Sequence, residues 1–320
     1  MRVVVTGATG FVGRRVCVAL LAAGHAVCAA VRGGAAPVAD IAEHIVVGDA
    51  GPDTPWRAAL RAGDAIVHLA ARAHQGDDVQ ARQDFQRINV DGTRSLVEAA
   101  VASGASQLLF VSSAKVFGET SPHDAQGRPH AYSAADMPQP RGPYGASKLA
   151  AEVLLQERCA AAGIALTILR PPLVYGPGNK ANMFALMRAI DAGWPLPFGS
   201  IDNQRSLIYV DNLADAIVHG IATAVGQRCY TVSDVELSTP GLVRALAAGL
   251  GTPARLWPCP FVALRALGRL AGRSDSVARL TDSMVLDRAQ IARELGWRPR
   301  IESATAMRAT GEWFRRGTAC

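Results

Sequence analysis

The chain has 320 residues, 49% hydrophobic and 19% charged, without a low-complexity tract. That excludes a disordered protein and leaves room for one large domain or two intimate ones. A net charge of +6 suits anionic ligands, but no run of Lys/Arg interleaved with aromatics is present, so nucleic acid is not an expected partner. Cys17, Cys28, Cys159, Cys229, Cys259 and Cys320 are scattered without metal-like spacing, as expected of reduced thiols, and no metal is expected. Glycines at 7, 10 and 13 break the only signal-like start, and no apolar run reaches the ~18 residues of a membrane span, so a cytoplasmic location is expected.

In chain order, strand-like runs fall at Arg2–Thr6, Ala26–Val31, His44–Val47, Ala65–Leu69, Gln107–Val111 and Ala165–Leu169. Helical spacing lies between most of them, for example at Val12–Ala23 and Thr93–Ser103. Strand alternating with helix predicts an α/β fold, a doubly wound parallel sheet of the Rossmann kind. After Arg170 the chain turns to Pro/Gly-rich turns and then, from about Thr239, to a helical tail. The expected division is a dinucleotide-binding domain over 1–170, with a return segment at about 205–235, and a smaller substrate domain drawn mainly from 171–320.

The first strand runs into Gly7-Ala8-Thr9-Gly10-Phe11-Val12-Gly13 and an amphipathic helix. Glycines there permit a tight turn and close approach of backbone N–H groups to a pyrophosphate at the helix N-terminus. The second strand ends in Val31-Arg32, where NAD sites usually carry a carboxylate for the ribose hydroxyls. With no carboxylate to repel a 2′-phosphate and Arg32 to pair with one, NADP(H) is favoured and NAD(H) remains an option. Asp49, followed by Ala50, is placed to meet the adenine edge, and Arg14 could assist at the phosphates.

Tyr144-Gly145-Ala146-Ser147-Lys148 opens a long helix, Gly142–Ala162, marked by Pro143. Four residues apart, the phenol and the ammonium share a face, and the ammonium is expected to lower the phenol pKa toward neutrality. Ser112-Ser113 closes the strand before a long, Pro/Gly-rich connection, in position for Ser113 to hydrogen-bond a substrate oxygen.

Together with Val67-His68-Leu69-Ala70-Ala71, Asn89–Thr93, Ser112–Gly118, Leu169–Gly178 and Arg205–Ala214, these segments resemble the extended short-chain dehydrogenases/reductases acting on nucleotide sugars. That group contains UDP-glucose 4-epimerase. The resemblance implies a Ser113/Tyr144/Lys148 triad, a cofactor lined by Leu69, Ala70, Ala71, Asn89, Val111 and Pro171, and Arg205 on a substrate diphosphate. It further implies a uracil-side segment at Pro197-Phe198, sugar or diphosphate contacts from Asn179 and Asn182, a second diphosphate arginine at Arg279, and a homodimer. Ser113-Ala114-Lys115 stands where 4,6-dehydratases carry Thr-Asp-Glu, which argues against dehydration. Leu173 and Val31-Arg32 depart from the 4-epimerase pattern. The details are similar to a polysaccharide-cluster branch that reduces UDP-4-keto-6-deoxy-N-acetylglucosamine for O-antigen or capsule synthesis. A UDP-hexose or UDP-N-acetylhexosamine 4-epimerase is the alternative, and a catalytically silent NAD(P)-binding regulator a remote one. Arg265, Arg269 and Arg273, four apart, form a basic stripe read as a solvated face, with a membrane-surface contact as the lesser alternative.

Overall fold

The structure, a computed structural model, describes residues 1–34, 38, 40–73, 79–179, 182–270 and 274–318. The first half is β1 (Arg2–Thr6), α1 (Phe11–Ala22), β2 (Ala26–Val31), β3 (Glu43–Val46), α2 (Trp56–Ala59), β4 (Ala65–His68), α3 (Val79–Phe85), α4 (Gly92–Ser103) and β5 (Gln107–Val111). A π-helical stretch, Gln86–Asp91, joins α3 to α4. Then come β6 (Ala131–Tyr132), α5 (Pro143–Ala162), β7 (Ala165–Arg170), β8 (Leu173–Tyr175), α6 (Asn182–Asp191), β9 (Arg205–Tyr209), α7 (Val210–Ala222), β10 (Gln227–Thr231) and β11 (Val235–Leu237). The chain ends with α8 (Thr239–Leu250), α9 (Phe261–Leu270), α10 (Ser274–Thr281), β12 (Val285–Leu286), α11 (Ala289–Glu294) and α12 (Ser303–Thr318).

Seven parallel strands form the main sheet in the order β3-β2-β1-β4-β5-β7-β10. The order reverses between β1 and β4, and in such sheets ligands bind beyond the carboxyl ends of the strands at that point. Both faces are covered, which explains the near-continuous apolar strands. Val3 and Val5 join a core with Val16, Cys17 and Leu20 of α1 and Leu213 and Ile217 of α7. Val4 faces the opposite core, with Leu96 and Val97 of α4 and Leu155 of α5.

β10 was not among the runs read as strands. It is the outer strand of the sheet, and its first two residues, Gln227 and Arg228, are exposed, so it lacks an apolar signature. β8 likewise stands where turn chemistry dominates the sequence. It pairs in parallel with β9, which pairs antiparallel with β11.

A separate core lies beside this three-stranded sheet, built from Tyr175, Met187, Leu207, Tyr209, Leu246, Met307 and Phe314. Within it α8 and α12 cross almost backbone to backbone. A Cβ on Gly249 would come within 2.3 Å of the Met307 carbonyl oxygen. Phe11 and Val12, from the turn after β1, pack against this same core. Among the described residues no helix is long and apolar enough to cross a membrane.

Candidate active site

Gly7 turns the chain after β1 at φ +68°, a left-handed conformation that favours glycine. A Cβ there would meet the Ala70 nitrogen at 2.9 Å, so the turn lies directly against the Leu69–Ala71 segment that leaves β4. Gly13 lets α1 pack on the turn, since its Cβ would stand 2.1 Å from the Gly7 carbonyl oxygen. The helix is capped by Gly10, which has no side chain to engage the first-turn N–H groups. Those groups are left for an anion, and the cradle fits a dinucleotide pyrophosphate. Arg14 donates to the Thr9 carbonyl at 3.1 Å, fixing the loop's outer side.

A buried hydrogen-bond chain ties the ends of β1 and β4 together. Thr93 donates to the Asn89 carbonyl at 2.6 Å, so toward His68 Nε2, 3.0 Å away, it acts as acceptor. His68 therefore carries its proton on Nε2, an assignment made from this network, and Nδ1 accepts from Thr6 Oγ1 at 2.8 Å. The Thr6 oxygen in turn accepts from the Leu69 and Ala70 N–H groups, each at 3.1 Å. Burial, with a smaller contribution from Lys148, pushes the His68 pKa down to about 3, so the ring stays neutral. Asn89 exchanges hydrogen bonds with the Arg72 backbone, at 2.8 and 3.1 Å, and donates to Ser147 at 2.9 Å. Its carboxamide thus locks the loop after β4 onto α5. Gly92 completes the segment, because a Cβ there would lie 2.2 Å from the Ala50 carbonyl oxygen.

The three residues come together because the chain after β5 is hydrogen-bonded to the chain after β7. Ser112 donates from its N–H to Leu169 at 2.8 Å and Ala114 does so to Pro171 at 2.8 Å, which sets Ser113 beside Pro171 at the sheet's carboxyl edge. Gly145 allows the first turn of α5 to approach Lys115, whose carbonyl oxygen a Cβ would meet at 2.5 Å. Ser113 is thereby set near the Tyr144 phenol, where it favours the phenolate. The expected lowering of the phenol pKa is not what the structure shows. Burial pushes Tyr144 up to about 12, with only the neighbouring Ser113 opposing it. The Lys148 ammonium lies over the Phe110 ring, 3.9 Å from its centroid. It is itself depressed to about 7, burial outweighing the attraction of Glu152.

Glu152 is a signal the sequence reading passed over, although Tyr144, Lys148 and Glu152 repeat every four residues on α5. Both Glu152 and Arg170, at the end of β7, are at most 5% exposed. They form a two-point ion pair at 3.1 and 2.6 Å. Arg170 also stacks on Phe117. Ser112 carries a buried hydroxyl without a hydrogen-bond partner among the described residues.

The other expected contacts fall into two groups. Arg32 and Asp49, at the ends of β2 and β3, face each other at 3.8 Å with both side chains largely exposed. Val111 ends β5 next to Ser112. On the opposite side, Arg205 donates to the Asp282 carbonyl at 2.8 Å, and Asn203 binds the carbonyls of Leu280 and Asp282. The Arg205 strand and the Arg279 helix are thus neighbours, though the Arg279 side chain lies outside the described residues. Asn179 is buried and donates to the Val174 carbonyl at 2.7 Å, while Asn182 stands exposed at the start of α6. Phe198, next to Pro197, packs against Ile201, Cys259 and Leu264. Lys115 pairs with Glu119 rather than with any acid in the site.

Comparison with known proteins agrees with this geometry. The chain matches the NAD dependent epimerase/dehydratase family over residues 3–232. It is 36% identical to a UDP-glucose 4-epimerase of Vibrio cholerae, covering 98% of this chain and 95% of that one. It is 30% identical to a GDP-6-deoxy-D-mannose reductase of Pseudomonas aeruginosa, covering 96% and 95%. The solved structure of MoeE5 in complex with UDP-glucuronic acid and NAD superposes with a TM-score of 0.79 at 26% identity, covering 99% of this chain and 100% of that one.

Proposed function

We propose that this chain, which belongs to the NAD dependent epimerase/dehydratase family of extended short-chain dehydrogenases/reductases, moves hydride at C4 of a UDP-linked sugar. The single observation that carries the reading is that Ser113, near enough to Tyr144 to favour its phenolate, and the buried Lys148 stand together at the carboxyl edge of the sheet. A nicotinamide dinucleotide, when bound, supplies the hydride acceptor or donor. Tyr144 gives or takes the proton of the C4 oxygen while Ser113 hydrogen-bonds that oxygen. A phenol held near 12 is a poor base alone, so this reading requires Lys148 to be charged when the phenol ionises. Gly7, Gly10, Gly13 and the Leu69–Ala71 backbone hold the dinucleotide, and Arg205 holds the sugar diphosphate.

Reduction of a UDP-4-keto-6-deoxyhexosamine, in bacterial polysaccharide precursor synthesis, is the favoured direction, with NADP(H) as cofactor. Support comes from the β2 end. Arg32 is exposed and its pairing with Asp49 is long, and such a surface pair is worth only about 0–1 kcal/mol, leaving the guanidinium free to take a 2′-phosphate. A 4-epimerase is the second reading, favoured by the full-length likeness to the Vibrio protein. A homodimer through α4 and α5 fits either; Val101 and Val153 are exposed on those helices.

The test supplies purified enzyme with NADPH and the 4-keto sugar, and separately with UDP-N-acetylglucosamine. The reductase consumes NADPH stoichiometrically and ignores the second substrate. Interconversion of UDP-N-acetylglucosamine with its galacto isomer, without net cofactor change, replaces the reductase reading with the epimerase. Tyr144→Phe should cut turnover roughly 10²–10⁴-fold with cofactor affinity retained. If both assays stay silent in the wild type, and UDP-glucose is not converted to its galacto isomer either, the proposed C4 chemistry is refuted.

A further inference from the structure

Helix α9 is apolar on two opposite sides. Leu264 points inward and forms a small core with Ile201 and Cys259, joined by Phe198 and Val277. On the far side of the helical repeat, about 120–160° from Leu264, Val262, Ala266 and Leu270 lie four residues apart, and all three are exposed. Val262 is 78% and Leu270 86% exposed, which is unusual for neighbours on one face. Arg269 is exposed on the same side.

Trp257 stands just before this helix, and Trp194 lies on the segment paired with it. Trp194 is 64% and Trp257 46% exposed. Their segments run side by side, since Leu196 donates from its N–H to the Arg255 carbonyl at 2.8 Å and Trp257 to the Leu196 carbonyl at 3.1 Å. The charge pattern is one-sided as well. From Leu237 to Ser274 the sequence has no Asp or Glu, while Arg244, Arg255, Arg265, Arg269 and Arg273 all fall within it. The side chain of Arg265 and the whole of Arg273 lie outside the described residues, so they enter through sequence alone.

An exposed apolar stripe, an exposed arginine beside it, a sequence run without acids and two exposed tryptophans together have the composition of a surface that lies in a membrane interface. A solvated basic face, the reading the arginine spacing suggests, leaves Val262 and Leu270 unexplained. A protein partner would also cover an apolar face, but the run from Leu237 to Ser274, with five arginines and no acid, favours an anionic lipid surface. We infer that α9, with Trp194 and Trp257, docks this protein peripherally on anionic bilayers. With no helix among the described residues long and apolar enough to span, the contact is in-plane. The inference does not depend on which sugar reaction the active site performs.

Co-sedimentation tests it, using the full chain with vesicles of phosphatidylethanolamine plus phosphatidylglycerol and, in parallel, of phosphatidylcholine alone. The wild type should pellet with the anionic vesicles, bind the neutral ones about tenfold more weakly, and be released by high salt. The Trp fluorescence should shift to the blue on binding. The double variant Val262→Glu/Leu270→Glu should lose at least about tenfold in vesicle affinity. Both positions are exposed and outside the active site, so its circular dichroism and sugar turnover should match the wild type. The inference is overturned if the wild type stays in the supernatant with anionic vesicles, or if the double variant pellets equally well. It is also overturned if light scattering shows the wild type self-associating through this face and the variant not, since a second copy would then be the occupant.

Discussion

Replacing Lys148 by Met should stabilise the fold while abolishing turnover, and the gain should shrink as pH rises. The ammonium is 2% exposed, and burial lowers its pKa from 10.5 to about 7 despite the opposing pull of Glu152. A base with a lower pKa in the folded than in the unfolded chain makes unfolding take up a proton. The resulting penalty on the folded state is full below pH 7, shrinks between about 7 and 10.5, and vanishes above. At about 1.4 kcal/mol per pH unit, the penalty is roughly 5 kcal/mol near pH 6 and roughly 2 kcal/mol near pH 9. Met fills similar volume without a charge, and whatever it loses over Phe110 is independent of pH. Its advantage over the wild type should therefore be smaller by about 3 kcal/mol at pH 9 than at pH 6. Urea unfolding of both proteins at both pH values, followed by circular dichroism, gives the difference directly. An advantage that does not change with pH would refute the reasoning and mean that the enclosed ammonium is compensated from within the fold. Zero turnover alongside a raised stability at pH 6 would mark Lys148 as a residue retained for chemistry at the expense of the fold.

Other substitutions read other parts of the site. Gly13→Ala should abolish cofactor binding, because the added Cβ collides with the Gly7 carbonyl at 2.1 Å; fluorescence titration with both dinucleotides measures it. Glu152→Gln leaves Arg170 charged and buried without its partner and should destabilise by about 3–5 kcal/mol in urea unfolding, whereas Glu152→Gln with Arg170→Met should recover much of the loss. Thr93→Val removes the acceptor for the His68 Nε2 proton and should lower stability by about 1–3 kcal/mol; no measurable loss would contradict the assigned tautomer.

The glycine turn, the parallel strands and the Tyr144/Lys148 pair were legible because each is written within a few consecutive residues. The Gly7 φ and the Gly13 approach are the physical reasons glycine stands there. What escaped depends on partners far apart in the chain. His68 is placed by Thr6 and Thr93, 62 and 25 residues away, and nothing in its neighbourhood announces that. The Glu152–Arg170 pair joins a helix to the end of the next strand, and two isolated charges in apolar runs are its only trace. The phenol pKa failed for another reason. Spacing says that Tyr144 and Lys148 share a face, but not that the ammonium sits over Phe110 or that burial dominates both groups. The arginines of α9 left a membrane contact as the lesser of two readings, because helical spacing alone does not say that Val262 and Leu270 face outward.

Phe11 and Val12 begin the helix that caps the glycine turn, yet they pack against the core beside the three-stranded sheet, and Gly178 at the end of β8's loop lies against the Phe11 ring. For anyone redesigning this protein, the two ends of the dinucleotide cleft are unequal. The strand-end pair Arg32 and Asp49 stands in solvent and can be exchanged without disturbing a packed neighbour. The turn at Phe11 is shared property, where an edit meant for one ligand rewrites the wall of the other's compartment.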